Sequence, residues 1–384
     1  MFSADLSITT PQLHAKIIGS KGYRGRSGFG NDMKRVLIIK MSSMGDVIHA
    51  LPALTDAMKA HPGITFDWVV EPGFSEIPRW HHAVNNVITI PMRRWRKEPW
   101  QAFKNREWKT FLQKLRNVSY DAVIDAQGLA KSALITCFTK GIRIGPDFHS
   151  AREAIASLVY QRKVTVDQQQ HAVERMRKTF AQALNYPLPE TPPDYGIDRT
   201  QLAKISYGNN CLVFLHGTTW TTKHWPEIYW QQLGYLASAE GYQVLLPWGS
   251  EAERERAERI RGYTEHKDCA MLPIVLPKMA LAEITALISQ AKGVVAVDTG
   301  LGHIAAAMGA PTVSLYGPTD PGLTGAYGPS QLHLHADLPC APCLSRNCKI
   351  ASSSSIMPPC FETLPPKKVW NALQNIMQPV NYAV

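Results

Sequence analysis

The stretch GVVAVDTGLGHIAAAMGAPTVSLYGPTDP, residues 293–321, constrains the fold more than any other part of the chain. Val294 to Val297 is apolar and β-branched, and too short for a helix, so it predicts a buried strand. Asp298-Thr299-Gly300 stops it. Leu301 to Met308 is rich in alanine and predicts a helix. Gly309-Ala310-Pro311 ends that helix, and Thr312 to Tyr316 predicts the next strand. A strand, tight turn, helix and strand in this order place free backbone N–H groups and a positive helix end where the first strand stops. In open α/β sheets ligands bind in that crevice, and anionic groups suit it. Asp298 and His303 flank the turn. They read equally as a helix cap with a satisfied surface histidine and as the lining of an anion pocket.

The same alternation runs through most of the chain. Arg35 to Met41, Phe66 to Val70, Val87 to Pro91 and Tyr120 to Asp125 predict strands. Between and after them, Val47 to Ala60, Trp100 to Leu115 and Gln168 to Leu184 predict helices, with a helix through about Phe138 behind the Gly128 turn. Strands alternating with helices mean a parallel sheet. The pattern breaks at 186–210, where Pro187, Pro189, Pro192, Pro193, Gly196 and Gly208 make a linker. It restarts with strands Cys211 to His216, Gln243 to Pro247 and Met271 to Leu276. Helices are expected after Pro226, from Glu251 to Arg261 and from Leu281 to Gln290, and a last one from Pro365 to Met377. Two doubly wound domains follow, 33–185 and 211–384, joined by the linker. Residues 1–32 lack periodicity and are expected to be a disordered extension or a misassigned start.

Composition narrows the function classes. With 384 residues the chain is long for one core and comfortable for two. No apolar run reaches the ~18 residues of a membrane span, and no export signal is evident. Seven cysteines, an odd number, argue against a disulfide framework. The expected compartment is cytoplasmic. A formal net charge of +10 points to anionic partners: nucleic acid, an anionic membrane surface or a phosphorylated substrate. No G-x-x-x-x-G-K-[ST] phosphate loop appears, and no G-x-G-x-x-G follows the first strand, which weakens NTPase and dehydrogenase readings. No known nucleic-acid module is present.

Several further stretches carry chemistry. KMSSMGD, residues 40–46, sits at the end of the first strand, and its small-residue turn, with Ser43, can cradle an anion or sugar hydroxyls. Asp46 there is either a first-turn charge on a helix dipole or a general base. FLHGTTWTTKHWP, residues 214–226, repeats that layout in the second half. Thr218 and Thr219 expose hydroxyls, and Lys223 adds a point charge suited to a diphosphate. Arg93, Arg94, Arg96 and Lys97 form the densest basic cluster, a solvated face or an anion-binding surface. Cys340, Cys343, Cys348 and Cys360, spaced C-x2-C-x4-C-x11-C, are candidate ligands of a structural metal or a plain thiol cluster.

KMSSMGDVIHALPAL (40–54), DAQGLAKSA (125–133), FLHGTTWTTKHWP and VDTGLGHIAAAMGAPTVSLYGPTDP occur in an order that resembles glycosyltransferase family nine, the bacterial lipopolysaccharide heptosyltransferases. The similarity runs from about Lys34 to about Tyr327. The resemblance implies a GT-B fold, two Rossmann-like domains facing a cleft, with a last helix that often crosses back. It implies transfer of L-glycero-D-manno-heptose from ADP-heptose to Kdo of Kdo–lipid A, with inversion, at the cytoplasmic face of the inner membrane. Asp46 matches the proposed base. Thr218, Thr219 and Lys223 match phosphate contacts, and Asp298, Thr299, Gly300 and His303 line the same pocket. Glu253 matches a carboxylate on the ribose, and Met279 a residue near adenine, with core packing the alternative for Met279. Ser43, Arg93, Arg94, Arg96 and Lys97 are expected on the acceptor side. No cofactor and no catalytic metal are expected. A family member with a different lipopolysaccharide acceptor is the nearest alternative. A basic, nucleotide-regulated binding protein is the alternative from another class.

Overall fold

A computed structural model describes residues 34–378, apart from 204, 206, 209, 265–270 and 351–355. The expected extension at 1–32 lies outside the described residues. Twelve strands form two sheets among the described residues. The first holds β1 (Arg35–Ile39), β2 (Thr65–Val70), β3 (Val84–Thr89), β4 (Ser119–Asp125), β5 (Lys140–Pro146) and β6 (Arg162–Val164). The second holds β7 (Cys211–Leu215), β8 (Gln243–Leu246), β9 (Ile274–Val275), β10 (Gly293–Val297), β11 (Thr312–Tyr316) and β12 (Gln331–His335). The strand orders are β3-β2-β1-β4-β5-β6 and β12-β11-β10-β7-β8-β9, and every pairing is parallel. The second order repeats the first, with β7 and β10 at the centre where β1 and β4 stand. Both sheets reverse direction there, and crevices open at the carboxyl ends of those strands.

Alternation along β1 sets the two faces of the first sheet. Val36 and Ile38 pack with Phe66, Trp68 and Phe180, under helices Leu51–Ala60 and Ala172–Leu184. Leu37 and Ile39 pack with Trp95, Phe111, Leu115 and Ile135, under helices Glu107–Arg116 and Ala130–Thr136. In the second sheet Phe214, Val295 and Val313 bury against Trp225, Trp230 and Trp370. The first of these cores also runs through Val213, Val294, Ile304 and Met308. The two sheets therefore share one apolar seam.

Several expectations shift. The helix expected from Val47 to Ala60 is two, Met44–Ile48 and Leu51–Ala60. The helix expected from Trp100 to Leu115 is broken. Pro99–Lys104 ends at Asn105, and Glu107–Arg116 starts after Arg106, whose φ of 53° lies in the left-handed region. A separate helix, Met92–Lys97, precedes both. The strand expected from Met271 to Leu276 pairs only at Ile274–Val275. The final helix, Pro366–Met377, packs on the second sheet, with Leu373 and Met377 against Gly293.

Candidate active site

The first turn follows β1. Lys40 ends the strand buried, and its ammonium donates to the Ala126 carbonyl at 2.9 Å, at the end of β4. Its Nζ stands 3.8 Å from Asp46 Oδ1. The Ser43 N–H and hydroxyl both donate to Asp46 Oδ2, at 2.9 and 2.7 Å. Burial alone would raise the Asp46 pKa. Lys40, the two Ser43 donors and Arg152 outweigh it and hold the carboxyl well below the usual range. Burial lowers the Lys40 pKa, Asp46 opposes, and Arg152 and Arg175 lower it further. Asp46 is thus an oriented carboxylate inside a shell of three cations. Sequence reasoning found Asp46 and Ser43 but missed the shell. Lys40 stood in the quoted motif. Arg152 and Arg175 come from the segment after β5 and from the helix Ala172–Leu184, and no local pattern announces them.

The second turn follows β7 and β10. Lys223 Nζ lies 2.6 Å from Asp298 Oδ2, and the Thr319 hydroxyl donates to the same oxygen at 2.6 Å. The Thr218 hydroxyl donates to the Asp298 carbonyl at 2.9 Å. Lys223 also sits 4.4 Å from the centre of the Trp220 ring. Asp298 therefore organises the turn through Lys223 and Thr319, which answers the cap reading. Thr299 stands at the N-cap of helix Gly300–Ala307 without a side-chain cap bond. Thr219 is exposed beside these groups. Glu253 Oε2 accepts from the Gly249 and Ser250 N–H groups at 2.7 and 3.2 Å. Its Oε1 lies so close to Gly217 that a Cβ there would meet it at 2.5 Å. Glu253 is thus held against the turn at Gly217. Met279 is half-buried in the shared apolar seam.

Helices Met44–Ile48 and Gly300–Ala307 bring the two turns together. A Cβ on Gly45 would stand 2.5 Å from the His303 ring, and one on Gly300 would stand 2.6 Å from the Met44 sulfur. Two glycines allow this approach. His49 Nε2 and His303 Nδ1 are 3.1 Å apart across it. Burial pushes both imidazoles down, and at His303 Asp298 and Asp46 oppose that push. His303 is thus neither a surface residue nor confined to one half. It joins the Asp46 turn to the Asp298 turn. His171 adds a second tie, its Nε2–H donating to the Gly325 carbonyl at 3.1 Å while Nδ1 accepts from the Val173 N–H at 3.2 Å.

The basic cluster divides. Arg94 is engaged by Glu107, which also accepts from the Trp95 indole. Arg93 lies over the Phe74 ring, 5.3 Å from its centre. Arg96 and Lys97 are exposed. Arg94 therefore carries an ion pair within the fold. The metal candidates also change standing. Burial pushes the Cys360 thiol up to about 11, with Cys340, Cys348 and Cys343 adding to the rise. Those three are exposed, and no group of three or more Cys, His, Asp or Glu among the described residues has a metal-holding arrangement.

Two doubly wound sheets of one strand order define the GT-B class. Their switch-point turns meet, and one carries an oriented carboxylate while the other carries a lysine paired with Asp298. The family model "Glycosyltransferase family 9 (heptosyltransferase)" matches residues 108–353. The curated lipopolysaccharide heptosyltransferase 1 of Pseudomonas aeruginosa is 53% identical over 89% of this chain and 98% of its own length. The E. coli heptosyltransferase WaaC with ADP superposes with a TM-score of 0.73 and 50% identity, over 79% of this chain and 93% of that one. WaaC with ADP-2-deoxy-2-fluoro heptose gives 0.75 and 43%, over 89% and 99%. The chain belongs to glycosyltransferase family 9, the heptosyltransferases, and is a glycosyltransferase.

Proposed function

We propose that the chain transfers L-glycero-D-manno-heptose from ADP-heptose to a Kdo hydroxyl of Kdo–lipid A, the first heptose of the lipopolysaccharide inner core, with inversion. It does so at the cytoplasmic face of the inner membrane. The observation that carries the reading is the meeting of the Asp46 turn with the Lys223–Asp298 turn across two glycines.

In this reading Asp46 accepts the proton of the attacking hydroxyl. The oxygen forms its bond to the anomeric carbon from the face opposite ADP. The bond from that carbon to the diphosphate breaks, and ADP leaves with the electron pair. A carboxylate held as low as Asp46 is a weak base toward a resting hydroxyl. Proton transfer therefore comes late, once bond formation has made the hydroxyl acidic. Lys223, the 217–219 turn and the N-terminus of helix Gly300–Ala307 receive the charge that builds on the diphosphate. Glu253, beside Gly217, is placed for the ribose hydroxyls. Arg152 and Arg175 suit a Kdo carboxylate next to Asp46. A carboxylate that draws on Arg152 also loosens its hold on Asp46 and makes it a better base as the acceptor arrives.

The test is ADP release from ADP-heptose with Kdo–lipid A. Turnover by the wild type is expected, with Asp46→Ala slower by about 100- to 10,000-fold and ADP affinity unchanged. Turnover only with an already heptosylated core would assign a different acceptor. ADP binding without transfer to either acceptor would overturn the reading.

A further inference from the structure

One face of the first sheet carries several strongly exposed apolar side chains. Among the described residues, the most exposed large hydrophobic side chains are Trp100 at 80%, Phe103 at 77% and Leu158 at 72%. Trp100 and Phe103 are three apart on helix Pro99–Lys104 and share one side of it. Its Ala102 is buried in the layer of Trp95, Phe111 and Ile135, so that helix lies on the β1 face of Leu37 and Ile39. Helix Ala130–Thr136 covers the same face through Ile135, and its Leu134 is more than half exposed. The segment Ala154–Val159 packs on that helix, through Ala156 and Tyr160 against Ala133. It turns Ile155 and Leu158 outward. The apolar side chains thus belong to elements that cover the same face of the sheet.

Charge accompanies them. Residues 93–109 hold seven lysines and arginines against two glutamates, and one of these, Glu107, is taken up by Arg94 and Trp95. Arg96, Lys97 and Lys104 are exposed within a few residues of Trp100 and Phe103, and Lys131 is exposed on the helix Ala130–Thr136 of the same face. A water-exposed tryptophan and phenylalanine within a basic, exposed stretch is the composition that settles at the headgroup level of a bilayer.

We propose that this face docks the protein on an anionic bilayer surface. Trp100 and Phe103 enter the headgroup layer, Ile155 and Leu158 make a second, shallower contact, and Arg96, Lys97 and Lys104 meet lipid phosphates. The purpose of the docking rests on the lipid-borne acceptor proposed above, but its test does not.

The experiment uses purified full-length protein and flotation with vesicles that contain no sugar acceptor. One set is phosphatidylglycerol with phosphatidylethanolamine, the other neutral phosphatidylcholine. The protein is expected to float with the anionic set and to be released by raised salt. Trp100→Ser/Phe103→Ser is expected to lower the anionic partition coefficient about tenfold or more. Ile155→Ser/Leu158→Ser is expected to lower it less. In both variants ADP affinity and turnover on a delipidated Kdo oligosaccharide stay at the wild-type level. No flotation of the wild type, unchanged flotation of the first double variant, or equal and salt-insensitive flotation with both lipid sets would each overturn the proposal. A change of sedimentation coefficient in the double variant would assign the face to contacts between copies instead. Wild-type flotation without heptose transfer to any acceptor would sink the functional reading and leave the docking surface standing.

Discussion

Lys40 holds Asp46 in the state that the proposed chemistry needs. Its ammonium is fixed by the Ala126 carbonyl and faces Asp46 Oδ1. Lys40→Met leaves the desolvation of Asp46 in place and removes the largest opposing charge, so the Asp46 pKa must rise. Activity depends on the ionised carboxylate, so the acid limb of the kcat/KM profile is expected to move to higher pH. The loss at low pH should be about tenfold or more, with partial recovery in Lys40→Arg. A profile that keeps its shape would assign Lys40 to packing alone. Lys223 makes a separate prediction. Lys223→Ala removes a charge-assisted partner of a diphosphate and is expected to weaken ADP binding about 10- to 100-fold by calorimetry. The same change leaves Asp298 with Thr319 as a remaining partner, so a fall in thermal stability should be small beside the fall in affinity.

Helices Met44–Ile48 and Gly300–Ala307 set the distance between the halves of the site. Gly45→Ala places a methyl group where the His303 ring lies, and that ring is held by His49. The helices must separate or the ring must turn, which is expected to cost about 1–3 kcal/mol in a denaturant titration. Turnover should fall further than stability alone accounts for, because Asp46 is the next residue and small misplacements are costly at a reacting centre. His303→Ala in the same chain should restore part of the stability, since it makes the room. Equal losses in the single and double variants would count against the contact. On the basic helix Met92–Lys97 the roles differ by residue. Arg96→Gln/Lys97→Gln is expected to raise the KM for Kdo–lipid A with kcat little changed. Arg94→Gln should instead lower stability slightly, because it takes the guanidinium partner from Glu107 and leaves the Trp95 indole bond.

Across the whole molecule, histidines with depressed pKa make the joined form sensitive to acid. Burial pushes His171 down from 6.5 to about 4, with its bond to Gly325 opposing. Below pH 6.5 the unfolded chain takes up a proton that the native His171 refuses until about pH 4. The unfolded state then binds more protons, so stability rises with pH through that window and is lost as pH falls through it. His171 alone contributes up to about 3 kcal/mol of that loss. Burial also pushes His81 to about 4, and it adds in the same range. The melting temperature is expected to fall from pH 6.5 to 4, less steeply in His171→Gln. Parallel curves would show that His171 keeps its proton chemistry out of folding. The same titration strikes the tie between the halves, because protonated Nδ1 can no longer accept from Val173.

Local pattern carried much of this. The apolar runs of β1, β2, β4, β7, β10 and β11, and the small-residue turns after them, were legible because a buried parallel strand needs continuous apolar residues and its exit turn needs small ones. Asp46, Lys223, Asp298 and His303 were found at those turns, and the resemblance named their roles. What was not legible depends on partners far away in the chain. β5 carries glycine, arginine and proline, β6 is three residues long, and β12 alternates with histidine. Each is a strand only because a neighbour offers its edge. The break at Arg106 and the Arg94–Glu107 pair are tertiary features, set beside the Trp95–Trp108 contact. Lys40, Arg152 and Arg175 converge on Asp46 from three elements, and Gly45 matters only because His303 lies opposite. Periodicity reports which face of an element is buried. Which charges stand around a buried carboxylate, and which two turns touch, is decided by how the sheets come together.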